Sequence, residues 1–271
     1  MTAACKSVLS DRLAEIRAEG RAAVVGYLPA GFPTLEGSIK AIEAMVEGGI
    51  DIIEVGLPYS DPVMDGPTIQ AAAEQALAGG IRTTDAFDVV RASVEAGAPT
   101  VIMTYWNPVE RFGVDRFAAA LAEAGGSGLI TPDLIPDEAG EWTEAATAHG
   151  LDQIFLVAPS STDARLAMTA EAASGFIYAT AVMGVTGQRE QTSSLAPELI
   201  ARLRAITDKP LGVGLGVSNG AQAAEVGKFA DAVIVGSALV RCLLDAPDEA
   251  AGLDAIRALA QDLRAGVERT K

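Results

Sequence analysis

The chain has 271 residues, 49% of them apolar, and 20 basic against 36 acidic side chains give it a net charge of −16. The length fits two ordinary domains, or one α/β barrel of roughly 250 residues. So acidic a chain is a poor match for nucleic acid, whose phosphates need Lys and Arg, and for anionic membrane surfaces.

Short apolar runs rich in Val and Ile alternate with longer helical patterns. A helical pattern over 10–19 comes first. The apolar runs are then "AAVVGYL" (22–28), "DIIEVG" (51–56), "TVIMTY" (100–105), "SGLIT" (127–131), "QIFLVA" (153–158), "GFIYAT" (175–180), "PLGVGLG" (210–216) and "AVIVG" (232–236). Near-continuous apolar runs of this kind are what parallel strands buried on both faces require. Between them, Thr34 caps a helix from Leu35, Pro67 opens one that ends near Gly79, and Thr84 and Ser218 are read as the caps of two more. Several further helical patterns run into glycine, and a last one spans 248–267. Eight strand–helix repeats without a linker predict a single (β/α)8 barrel over 1–271 with an extra N-terminal helix. A doubly wound open sheet is the rival.

The first twenty residues lack the apolar core of a secretion signal. The charge-free stretch 172–188 is broken by Gly175, Gly184 and Gly187, so it falls short of the roughly 20 apolar residues of a membrane span. A cytoplasmic protein is expected, and Cys5 and Cys242 are read as free thiols.

Barrel active sites lie at the C-terminal ends of the strands. There, "VGLGVS" and "VGSALV" both end a strand in glycine and enter a helix, with Ser237 opening a short one. That is a place for phosphate, because glycine lets backbone N–H groups approach it closely. The segment 181–198 after the sixth strand is longer than most strand–helix loops and reads as a lid. Within "DIIEVGLPYSDPVMDGP", Glu54 interrupts a buried strand. Ile52, Glu54 and Gly56 share one face, which aims Glu54 into the barrel mouth, where its carboxyl should titrate high enough to exchange protons near neutrality. It is otherwise one half of a buried ion pair. Asp65 is either a second working carboxylate or a helix cap.

The only histidine, His149, sits at the end of a helical pattern, so no histidine cluster offers itself to a metal. No lysine lies at a strand's C-terminal end for a Schiff base. These features point to cofactor-free acid–base chemistry on a phosphorylated substrate.

The stretches "IIEVGLPYSDPVMDGPTIQ", "YWNPVERFG", "GFIYATAVMGVTG", "GLGVS" and "VGSALV", in this order, resemble the tryptophan synthase alpha subunit. The resemblance implies a (β/α)8 barrel that cleaves indole-3-glycerol phosphate to indole and glyceraldehyde 3-phosphate. It implies no cofactor in this chain, and an α2β2 complex with a beta subunit that carries pyridoxal phosphate. Glu54 becomes the general acid/base, and Asp65 the partner of the indole N–H. Tyr27, Tyr105, Ile130, Tyr178 and Ile234 match substrate-side positions, as do Gly187, Gly216, Gly236 and Ser237 around phosphate and Thr186 on the closing loop. Asp61 and Asn107 match positions toward the beta subunit. Val182 and Leu215 depart from the usual arginine and phenylalanine, which bears on lid closure and indole packing. A stand-alone lyase releasing free indole would share all of these residues. A non-catalytic phosphate-binding barrel would not need Glu54 in the mouth.

Overall fold

The computed structural model describes residues 7–180, 189–214 and 216–268. Its strands are β1 (Ala23–Pro29), β2 (Ile52–Gly56), β3 (Thr100–Met103), β4 (Gly128–Thr131), β5 (Asp152–Val157), β6 (Ile177–Thr180), β7 (Leu211–Gly214) and β8 (Ala232–Val235). All pair in parallel with their sequence neighbours, and β8 closes onto β1. The sheet is therefore the expected closed eight-stranded barrel, with the strand runs displaced by a residue or two at their ends.

Helix α1 (Val8–Ala18) precedes β1, and α2 (Leu35–Glu47) joins β1 to β2. After β2 come α3 (Pro67–Ala78) and α4 (Thr83–Glu95), and after β3 α5 (Trp106–Phe112) and α6 (Val114–Glu123). The rest are α7 (Gly140–His149), α8 (Asp163–Ala172), α9 (Arg189–Arg204), α10 (Gly220–Gly227), α11 (Ser237–Leu244) and α12 (Glu249–Glu268). None is long and apolar enough to cross a membrane among the described residues.

Local chemistry explains most of the ends. Thr34 caps α2 by accepting from Gly37 N, and Pro67 stands first in α3, where a missing N–H costs nothing. Three expectations change. The α10 cap is Asn219, not Ser218: its extended backbone lets Oδ1 accept from Gln222 N, while Ser218 bonds the Gln222 side chain. Helix α4 starts at Thr83, ahead of the expected cap Thr84, because the Asp85 carboxylate reaches back to Arg82 N–H at 2.8 Å. And α9 begins at Arg189, inside the segment read as loop; "REQ" has no apolar stripe but good intrinsic helix propensity. His149 ends α7, with Nε2 3.0 Å from Asp115. Cys242 is a half-buried free thiol; Cys5 lies outside the described residues.

The core is in two parts. Outward-facing residues such as Ile53, Val55, Ile102 and Val233 pack against the helices. Inward-facing Val25, Ile52, Val101, Ile130, Ile154, Phe176 and Ile234 fill the barrel. The N-terminal end of the barrel is plugged by Leu9, Leu13 and Ile16, one face of α1. Each such buried side chain contributes about 1.5–3 kcal/mol. Ser7 caps α1 and bonds Asp152 at the start of β5.

Beside the plug lies a buried ionic hub. Asp51, 4% exposed, accepts from Arg21 at 2.7 and 2.9 Å, Arg12 at 3.0 Å, Arg264 at 2.8 Å and Val24 N at 3.0 Å. Glu19 takes the remaining side of Arg21 at 2.6 Å. The hub joins α1, the entries to β1 and β2, and α12, leaving the opposite end of the barrel to the site.

Candidate active site

The pleat of β2 turns Ile52, Glu54 and Gly56 inward, with Tyr27 of β1 and Val101 of β3 in register beside Glu54. Glu54 is 1% exposed. Among the described residues no cation lies within ion-pair distance of it, and its Oε2 has no hydrogen-bond partner. The ion-pair explanation for a glutamate in this strand therefore finds no partner there. Burial pushes its carboxyl up to about 8, and the negative charge of Asp65 adds to the push.

Asp65 ends the loop that follows β2. Gly66, not Asp65, occupies the cap position of α3 and makes no side-chain bond. The Asp65 main-chain oxygen accepts from Gln70 Nε2 at 2.7 Å, leaving its carboxylate free to face the cavity. Burial raises the Asp65 carboxyl too, opposed by a hydrogen bond from Tyr105.

Both carboxylates line a cavity of about 260 Å³ in the barrel mouth. Tyr27 and Tyr178 flank it, and both phenols are held well above their ordinary range, first by burial and then by nearby carboxylate charge. Each ring leans into a glycine on the adjacent strand. A Cβ on Gly56 would collide with Tyr27, and one on Gly214 would come within 2.7 Å of the Tyr178 hydroxyl. Gly216, Gly236 and Ser237 form the far end, with Ile234 beneath them. Gly216 has φ +67°, a conformation that favours glycine, and Gly236 precedes the open N-terminus of α11 without a side-chain cap.

Two expected residues stand away from this wall. Ile130 is fully buried deeper inside the barrel. Tyr105 lies behind the Asp65 loop, because β3 ends at Met103 and the chain leaves the barrel there. Thr186, Gly187, Val182 and Leu215 lie outside the described residues. The wall also includes Met64, Ile69, Met103, Leu156 and Thr180, which the sequence reading did not single out. Alternation alone reaches three of them: Met103 follows inward Val101, Leu156 follows Ile154, and Thr180 follows Tyr178. Among the described residues, no group of three or more His, Cys, Asp or Glu is placed to hold a metal ion.

The chain is similar to known proteins along nearly its whole length. A family profile described as tryptophan synthase alpha chain matches residues 13–268. The tryptophan synthase alpha chain of Salinispora arenicola is 65% identical over 251 residues, covering 93% of this chain and 94% of the relative. That of Acidothermus cellulolyticus is 60% identical over 263 residues, with 97% and 98% covered. Among solved structures, a chain of Mycobacterium tuberculosis tryptophan synthase superposes with a TM-score of 0.90 at 56% identity, covering 97% of this chain and 98% of its own. By sequence and fold, this chain belongs to the tryptophan synthase alpha chain family.

Proposed function

We propose that Glu54 and Asp65 carry out the reaction of this alpha chain, the cleavage of indole-3-glycerol phosphate to indole and glyceraldehyde 3-phosphate in tryptophan biosynthesis. The observation that carries this reading is Glu54 itself: buried, without an ionic partner among the described residues, and titrating near 8 beside a second carboxylate. At neutral pH such a group is mostly protonated and ready to act as an acid.

The steps follow from the chemistry of the substrate. Glu54 gives its proton to the indole carbon that bears the glycerol chain, and the ring becomes a cation with its charge at nitrogen. The Asp65 carboxylate faces that N–H and stabilises the charge. Glu54, now ionised, takes the proton of the neighbouring side-chain hydroxyl. The carbon–carbon bond breaks, its electron pair returns to the ring, and indole and the aldehyde leave with Glu54 protonated as at the start. These steps use only side chains of this chain. Tyr27, Tyr178, Leu156 and Ile234 border the flat apolar ring, and the N–H groups beside Gly216, Gly236 and Ser237 hold phosphate. Thr186 and Gly187 belong to this site by resemblance. Acting in the cytoplasm, the chain pairs with a beta subunit in an α2β2 complex, a reading supported by the similarity to chains of tryptophan synthase structures.

Mixing the purified chain with indole-3-glycerol phosphate should release indole; no release, with or without a matched beta subunit, overturns the reading. Asp65→Asn should slow single-turnover cleavage by about 10²–10³, the usual cost of losing a group that stabilises developing charge. An unaltered rate would remove Asp65 from the mechanism.

Gly236→Val tests the phosphate end. Even a Cβ there would stand 3.3 Å from Tyr27, and the branched side chain would cover the α11 N-terminus. KM should rise about tenfold or more, the worth of one or two hydrogen bonds to a charged group. An unchanged KM in a folded variant places the phosphate elsewhere.

A further inference from the structure

The loop 57–66 that delivers Asp65 contains no helix or strand. Something outside the loop has to fix its carboxylate relative to Glu54. At its start Leu57 N bonds Met103 O at 2.9 Å, which anchors the loop to β3 but not its far end. The far end is held by two side chains: Gln70 donates to the Asp65 main-chain oxygen, and Tyr105 takes the amide just before it. The Tyr105 hydroxyl accepts from Met64 N at 3.0 Å, which places the phenol beside the Asp65 carboxyl, whose charged form it favours. A phenol has one hydrogen to give, so with its oxygen accepting from the amide its O–H is left for the neighbouring carboxylate.

Tyr105 is itself braced. Its ring lies 5.3 Å from that of Tyr59 at 37°, and the Tyr59 hydroxyl accepts from Asn107 Nδ2 at 3.0 Å. The backbone beside it is pinned by Trp106 N–H to Asp133 at 2.9 Å. Tyr105 is 6% exposed and stands behind the cavity wall. We propose that Tyr105 is a positioning residue, its hydroxyl fixing Met64 N–H next to Asp65 so that the Asp65 carboxylate stands opposite Glu54 in the geometry that cleavage needs. The inference rests on the roles proposed above for Glu54 and Asp65.

The titratable groups that face Asp65 are Glu54 from β2, Tyr27 from β1 and Tyr105 from the segment after β3. Of these only Tyr105 favours its charged form. Losing the hydroxyl raises the pH at which Asp65 ionises, so the acid limb of the kcat/KM profile moves up. The alkaline limb, set by Glu54 near 8, remains.

The test compares wild type, Tyr105→Phe, Asp65→Asn and the double variant for indole formation across pH, with thermal melts on the same samples. Phenylalanine keeps the ring contact with Tyr59. In Tyr105→Phe, kcat should fall about tenfold or more, with KM changed less than about threefold and the acid limb displaced upward. In the Asp65→Asn background the same change should add little, because the two residues act as one unit. Three results overturn the proposal: losses that multiply, a KM effect with kcat and pH profile unchanged, or a profile unmoved in a variant that melts normally. If Asp65→Asn alone retains full rate, the reading of the site fails instead. If Asp65→Asn is slow and Tyr105→Phe is not, only the positioning role fails.

Discussion

Glu54→Gln is expected to fold at least as stably as the parent and to cleave substrate at least about 10²–10⁴-fold more slowly. The two halves of this outcome have one cause. Glu54 is 1% exposed and titrates near 8 instead of 4.5, so the folded protein holds a proton there that the unfolded chain releases. Where the folded state binds more protons, stability falls as pH rises. The penalty starts near pH 4.5, grows to about pH 8 and is then constant; at pH 7 it amounts to about 3 kcal/mol at most. Glutamine removes the titration and keeps the shape. The variant's advantage in melting temperature should therefore be small at pH 5 and largest at pH 8. An ion-paired glutamate would behave in the opposite way, stranding a partner's charge and destabilising by roughly 3–5 kcal/mol. Melts at both pH values and single-turnover rates on one sample decide between them. A clear fall in melting temperature would sink the catalytic account.

Asp51→Asn should do the reverse, lowering stability by about 3–5 kcal/mol while leaving kcat nearly unchanged below the melting transition. Asp51 stands three residues before Glu54 on the same strand run, but at the closed end of the barrel. Its charge faces Arg12, Arg21 and Arg264 together. Arg21 is 7% exposed and would keep Glu19 as its only charged acceptor, beside the Ala22 carbonyl and one amide oxygen. At about 2–4 °C per kcal/mol for a chain of this size, the midpoint should drop by about 6–20 °C. Urea melts with a drop under about 1 kcal/mol would show that the hub contributes little.

The contrast between these neighbours shows what a sequence makes legible. The eight strands can be read because each must be apolar on both faces, a demand met locally by consecutive residues. Glu54 stands out because it breaks that rule, and the parity of Ile52 and Gly56 gives its direction. The hub has no such signature: Asp51 looks like an ordinary acidic residue at a strand entry, and its partners lie 30 and 213 residues away. Asp65 was ambiguous because an aspartate before Gly-Pro serves equally as a helix cap, and only the observed cap at Gly66 leaves its side chain for the cavity. Met64 and Ile69 escaped because loop and first-turn residues have no strand alternation to aim them. Tyr105 matches a substrate-side position by resemblance alone, and the apolar run that contains it outlasts its strand by two residues.

The plug and the hub also constrain the order in which a ribosome can complete this barrel. Strand β1 needs β8 on one edge, and the apolar face of α1 belongs to one buried cluster with Phe176 and Ala232. Arg264, which also reaches Asp51, is added late in translation. For most of synthesis, then, the nascent chain presents an unpaired strand edge and an uncovered Leu9–Leu13–Ile16 stripe, the kind of surface that invites mispairing. Holdase chaperones should find their best target in residues 8–29, and let go only as β8 and α12 arrive.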